Sequence, residues 1–411
     1  MSGRPLRFCM VSTFYPPYNF GGDGITVRRL AGLLAERGHQ VEVVHCIDSY
    51  RLTRTADSPV PGPYDDHPGV VHHGLRSRAG FLSPLVTHQT TSPGLKRGRL
   101  RSILGSGRFD VIHFHNISLI GPTALGYGKA TTLLTMHDHW LVCPMHVLWR
   151  FNREVCPARR CVRCTLHAGR PPQLWRYTGA LRRSLRHVDA FIAPSRFTRD
   201  QHFARGLPAA SRVVQLQNFT PRPAPASADE ARPHARPYFL FAGRLERVKG
   251  AHVLVRAFTR YHEADLLVAG TGGDAEWLKT MAEGRTHIHF LGRVPFERLE
   301  VLMRHAIALV VPSVGYEVLP TAILEAHALG TPVIGHDLGP IPEMLESGSG
   351  LTYRDEAELI AALETLRGDS GRRRAMGARA REVYLAEWTP ERHLARYLEL
   401  IHELQAERGV A

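Results

Sequence analysis

Glu317 and Glu325, eight residues apart, sit in the stretch of this chain best equipped for chemistry. The apolar run 307–311 ahead of them has the length and branched residues of a strand buried on both faces. Pro320 suits the first turn of a helix, where its missing N–H is not needed. Ala322, Ile323, Ala326 and Leu329 then recur at helical spacing, and Gly330 ends the helix. Glu317 therefore falls in the loop before the helix and Glu325 in its second turn. The backbone around Val318, Leu319, Pro320 and Thr321 forms a helix mouth suited to an anion such as a phosphate. A glutamate near such a mouth is also an ordinary partner of the helix dipole, so other residues must decide.

Two cations supply the next clue. Strand 238–242 runs into Gly243, Arg244 and Lys249, and charges five residues apart at a strand end are placed to neutralise a diphosphate. Gly21, Gly22 and Gly24 lie between a first strand and its helix, where glycine lets backbone amides approach a phosphate; a turn there needs glycine for local reasons as well. His137 follows strand 130–136, at the end of a strand where parallel sheets place their chemistry, although a histidine can also simply anchor the turn. Cys143, Cys156, Cys161 and Cys164 follow a C-x12-C-x4-C-x2-C pattern that fits a tetrahedral structural zinc. An iron–sulfur cluster and unliganded or redox thiols are the alternatives, and His139, His146 or His167 could replace one thiolate. Cys9 and Cys46 read as small core residues.

The elements that must hold these groups alternate strand and helix, which predicts parallel sheets flanked by helices, an α/β fold. With 411 residues, 44% of them hydrophobic, the chain has core for two or three domains. An N-terminal domain is expected over 1–220, with the cysteine-rich insertion at 143–167. A proline-rich linker follows at 221–237, then a second domain over 238–386 and a C-terminal segment over 387–411. Residues 50–95 are poor in pattern, and His67, His72, His73 and His88 show no metal-ligand spacing; a surface loop able to close over an acceptor is expected there. The net charge of +14 points to an anionic partner. Thirteen arginines and no lysine lie between Arg150 and Arg205, interleaved with aromatics, which suits a solvated face or an anionic membrane surface. No nucleic-acid module is recognisable. No apolar run approaches the ~20 residues of a membrane span and no secretory signal is evident, so a cytoplasmic location is expected, with peripheral contact to the inner membrane face as an extension.

Taken together, Gly21-Gly22, Gly243-Arg244, Lys249-Gly250, Phe290-Leu291-Gly292 and Glu317-x7-Glu325 followed by Gly330-Thr331-Pro332 resemble the retaining nucleotide-sugar glycosyltransferases of family 4. The resemblance spans nearly the whole chain. It implies the GT-B fold, two Rossmann-like domains with parallel sheets facing each other across a cleft. It also implies that Arg244 and Lys249 hold the donor diphosphate with backbone amides at Gly22 and near Leu319. Glu325 takes the ribose hydroxyls, Glu317 the transferred sugar, His137 a place beside the reacting sugar, and the loop from Gly292 to Val294 the base. By the same resemblance no catalytic metal is needed, and residues 390–405 form a helix that crosses back onto the first domain. The implied activity is transfer from a UDP- or GDP-sugar to a hydroxyl acceptor, which is lipid-linked, a polysaccharide or a small molecule. A nucleotide-sugar epimerase of similar fold and a non-catalytic membrane scaffold are the competing readings. Two departures stand out: Asn218-Phe219 where the family carries Asn-Gly, which bears on the hinge, and Tyr316-Glu317-Val318 without the family's glycine, which bears on the sugar.

Overall fold

A computed structural model describes residues 4–409 apart from 56, 57, 59 and 226–229. The strands, in chain order, are β1 (Arg7–Ser12), β2 (Gln40–Cys46), β3 (Val70–Leu75), β4 (Val111–Asn116) and β5 (Thr131–Thr135), then a short ribbon of β6 (Trp149–Arg150) and β7 (Glu154–Val155), then β8 (Ala190–Ala193) and β9 (Val213–Gln215). A second series comprises β10 (Tyr238–Ala242), β11 (Asp265–Ala269), β12 (Ile288–Gly292), β13 (Leu309–Val311), β14 (Val333–His336) and β15 (Gly350–Tyr353).

The chain divides into two compact units. Unit 1 comprises residues 1–146, 158–216 and 394–411, and unit 2 comprises 147–157 and 217–393. Residues 147–157 thus group with unit 2, although the sequence reading placed them in the insertion of the first domain. Their anchor is Trp149, whose indole packs on Gly315, where any side chain would collide with Val248.

Unit 1 holds a parallel sheet in the order β3-β2-β1-β4-β5-β8-β9. Leu394 onward, the greater part of helix Pro390–Glu407, belongs to this unit. Tyr397 is fully buried there, stacked on Phe8 and bonded to His113 Nδ1 at 2.9 Å. Residues 50–95 are not a plain loop. They contain the end of helix Ile47–Thr53, helix Leu82–Gln89 and the edge strand β3. An edge strand needs little apolar patterning. In β3 only Val70 and Leu75 are buried, while His73 bonds Glu42 at 2.6 Å and His72 faces Asp66.

Unit 2 holds a six-stranded parallel sheet in the order β12-β11-β10-β13-β14-β15. Its central strands are apolar without a break because helices cover both faces. Phe239, Phe241, Leu266 and Val268 join the core beneath helices Ala251–Phe258 and Glu356–Gly368. Tyr238, Leu240, Leu267 and Ala269 point the other way, into a core shared with helix Thr321–Ala328. The strand order reverses between β10 and β13, so the loops leaving those two strands meet at a crevice beyond their carboxyl ends. In open α/β sheets that is where ligands bind.

Candidate active site

The loops that leave β10 and β13 are stitched together by backbone. Val314 N–H and Gly315 N–H both donate to Val248 O, at 3.0 and 3.2 Å. Gly250 sits between them at φ +73°, and a β-carbon there would strike the Pro312 carbonyl. That left-handed conformation and that contact require glycine. The consequence is local: Lys249 is delivered to Glu317. Its Nζ donates to Glu317 Oε1 at 2.7 Å and to Oε2 at 2.9 Å, and Ser313 Oγ donates to Oε1 at 2.7 Å. Burial alone would raise the Glu317 carboxyl. The Lys249 charge and hydrogen bond, the Ser313 hydroxyl and the more distant Arg244 charge outweigh it and hold the group below its ordinary value. Glu317 is therefore an anion at neutral pH, paired with the Lys249 cation.

Arg244 is half-exposed and pairs with Glu246. Beyond it, Gly270 at φ +150° lies against the Gly243 carbonyl and donates its N–H to Gly292 O at 2.8 Å, which brings the ends of β10, β11 and β12 close together. Gly292 and Val294 lie on this rim, both partly exposed. Helix Thr321–Ala328 starts at Pro320 without a side-chain cap. Leu319 and Pro320 are buried, Val318 is partly exposed, and Glu325 is half-buried on the helix. The structure thus gathers Arg244, Lys249, Glu317, Val318, Leu319 and Gly292 at the carboxyl end of one sheet.

In unit 1, Gly21 and Gly22 open helix Gly22–Glu36 after β1, with free space where side chains would project. His137 follows β5, and its Nε2 lies 2.9 Å from His115 Nδ1. Near them is a network that sequence reasoning missed. Asn116 Nδ2 reaches Asp23 at 3.5 Å and Asp138 at 3.3 Å, and His146 Nδ1 bonds Asp138 at 2.7 Å. Burial raises the Asp23 carboxyl above its ordinary value. Asp138 is pushed up by burial as well, but the His146 charge and hydrogen bond, with the Trp140 N–H, bring it below. Asp23 stood in the glycine-rich loop and Asp138 beside His137; their adjacency to those motifs was the only signal.

None of the six cysteines is in a disulfide; Cys143 is buried, whereas Cys156, Cys161 and Cys164 are partly so. Cys161 and Cys164 lie on helix Cys161–His167, and Cys156 N–H donates to Leu148 O at 2.7 Å. Arg176 departs from the solvated arginine face expected of its neighbours. It lies over Trp140 and Trp175, donates to the carbonyls of Trp140 and Leu141, and is pushed down to about 10 by burial against the opposing pull of Cys143 and Cys161.

Residues 20–219 match the model of Glycosyltransferase Family 4, and residues 225–383 that of glycosyl transferases group 1. The chain belongs to the family 4 glycosyltransferases. A glycogen synthase of Mycobacterium tuberculosis is 27% identical over 93% of this glycosyltransferase and 92% of its own length. Among solved structures, sucrose-phosphate synthase from Thermosynechococcus elongatus superposes with a TM-score of 0.71 at 21% identity, over 98% of this chain and all of that one. HepE from Anabaena, in complex with UDP and glucose, does so with a TM-score of 0.68 at 15% identity, over 97% and 100%. These neighbours share the GT-B fold. Among the described residues no helix is long and apolar enough to cross a membrane.

Proposed function

We propose that this glycosyltransferase moves a sugar, with retention of configuration, from a UDP- or GDP-sugar to a hydroxyl acceptor. The observation that carries the reading is the Lys249–Glu317 pair at the strand-order reversal, beside the mouth of an uncapped helix. Its support from outside is the UDP and glucose bound by HepE. Arg244 and Lys249 hold the diphosphate, with backbone at Val318 and Leu319; Glu325 takes the ribose, Gly292 and Val294 the base, and Glu317 the transferred sugar. For Gly21, Gly22 and His137 of unit 1 the family resemblance alone supports a part in the reaction.

In the step, the bond from the anomeric carbon to the phosphate oxygen breaks, and the fixed charges of Arg244, Lys249 and the helix mouth stabilise the departing diphosphate. The departing oxygen accepts the proton of the acceptor hydroxyl on the same face, where the new carbon–oxygen bond forms. Charge of this kind replaces a catalytic metal. The four cysteines are assigned a structural zinc, held apart from this step. A lipid-linked or polysaccharide acceptor, met at an anionic membrane surface, suits the basic chain and the exposed Phe81, Leu82 and Val86 at the start of and on helix Leu82–Gln89. The test is turnover of wild-type protein and Glu317→Gln across UDP-, GDP-, ADP- and TDP-sugars. One nucleotide sugar should be consumed, and the variant should lose most of that rate. Near-normal turnover in Glu317→Gln removes the role given to it, and isomerised donor sugar without acceptor supports an epimerase instead.

A further inference from the structure

A second constellation lies at the opposite, amino-terminal edge of the unit 2 sheet. Asp265 opens β11 and is 3% exposed. Residues two apart on a strand share a face, so Asp265 and Leu267 point the same way. Leu267 is paired in register with His289 of β12, which places His289 on that face too. Asp265 pairs with Tyr238 at the start of β10, and the chain just before it carries His234, whose ring stands edge-on to Tyr238. The three side chains converge on one carboxylate oxygen. His234 Nε2 lies 2.6 Å and His289 Nε2 3.1 Å from Asp265 Oδ2, and one ligand atom from each residue falls within 4.8 Å of the others. The remaining oxygen, Oδ1, is buried and takes no hydrogen bond; it faces the Arg236 guanidinium at 3.2 Å.

We propose that His234, Asp265 and His289 bind a divalent transition-metal ion, zinc foremost. Two imidazoles and a carboxylate match the ligand preferences of such an ion, and the partial exposure of both histidines leaves solvent room for a fourth ligand. A buried carboxylate needs a counter-charge. In the metal-free chain the Arg236 guanidinium supplies it, and the two imidazole N–H groups add hydrogen bonds to Oδ2. The ion takes their place, the imidazoles giving up the protons that face Asp265 and the half-exposed Arg236 turning to water. The effect is mechanical. His234 lies in the stretch 230–237 that leads into β10, so the ion pins that stretch to β11 and β12. The site is separate from the loops that carry Lys249 and Glu317, which leave the other end of the sheet.

The experiment uses the full chain stripped with chelator, its zinc stoichiometry measured by competition with a chromogenic chelator, and its unfolding midpoint recorded with and without zinc. His289→Ala and His234→Gln are compared with wild type, each checked for folding by circular dichroism. A Cys156→Ser/Cys164→Ser variant separates any ion held by the cysteines. Wild type should bind one more zinc than His289→Ala and His234→Gln, and the cysteine variant should retain that ion. Loss of a direct ligand should weaken the site by more than the ~10–100-fold typical of losing an outer-shell partner. Cobalt should give the weak visible bands of nitrogen and oxygen ligands in the cysteine variant, absent from it once His289→Ala is added. Equal stoichiometry and equal zinc stabilisation in wild type and both histidine variants overturns the proposal.

Discussion

Removing the Lys249 charge while keeping its length, as in Lys249→Met, isolates the contact on which the site depends. The variant leaves the Glu317 carboxylate, 15% exposed, with only the Ser313 hydroxyl among the bonds described above. Stranding a fully buried charge costs about 3–5 kcal/mol. Here Lys249 is itself 27% exposed and Ser313 remains, so about 2 kcal/mol is expected. For a unit of this size that lowers the unfolding midpoint by about 4–8 °C. Glu317→Gln in the same background removes the stranded charge, so the double variant should regain most of the loss yet stay inactive. The pH dependence follows from the sign of the shift. The folded Glu317 carboxyl lies below its ordinary value, so its contribution is complete above the usual glutamate range, near pH 4.3, and is lost as the pH falls through the folded value. The assay is thermal unfolding of wild type, both singles and the double between pH 2 and 8. A Lys249→Met protein as stable as wild type, with no coupling to Glu317→Gln, would refute the reasoning.

Other outcomes follow from the same contacts. Gly250→Ala combines a left-handed backbone, at about 1–2 kcal/mol, with a collision against Pro312; denaturant unfolding should show a loss of at least that size, and activity should fall because Lys249 shifts from Glu317. His139 is completely buried and pushed down to about 3 by burial. The unfolded chain therefore takes up its proton first, and stability drops as the pH falls below about 6.5, by up to about 1.4 kcal/mol per pH unit. His139→Phe should flatten that acid limb in a pH series of unfolding midpoints. Tyr397→Phe removes the hydroxyl partner of His113 Nδ1 and should cost about 1 kcal/mol by thermal unfolding while leaving the donor site intact.

What could be read from the sequence were signals that repeat within a short window. The central strands of both sheets are apolar along most of their length because both faces are covered, so β1, β10 and β11 declared themselves. Arg244, Lys249 and Glu317 were marked by the glycines and the helix start around them. What stayed hidden depends on pairing over distance. Lys249 and Glu317 are 68 residues apart, and their contact rests on two backbone bonds to Val248 and a glycine with no room for a β-carbon. The network of Asp23, Asn116, Asp138 and His146 draws on the first turn of helix Gly22–Glu36, the ends of β4 and β5 and the segment that follows β5, and carries no local pattern. The edge strand β3 was hidden for another reason. Its histidines stand where the apolar alternation of a half-buried strand would be, and the ladder to β2, with side-chain contacts to Glu42 and Asp66, holds it instead.

The most direct test of the donor site is the affinity of UDP and GDP for wild type and for Arg244→Ala/Lys249→Ala, measured by calorimetry. Charge-assisted hydrogen bonds to a diphosphate are worth about 1.5–3 kcal/mol each. One of the two nucleotides should bind wild type, and losing one cation should weaken it by about 10–150-fold, losing both by more. Unchanged affinity in the double variant would place the diphosphate elsewhere and contradict the site described here.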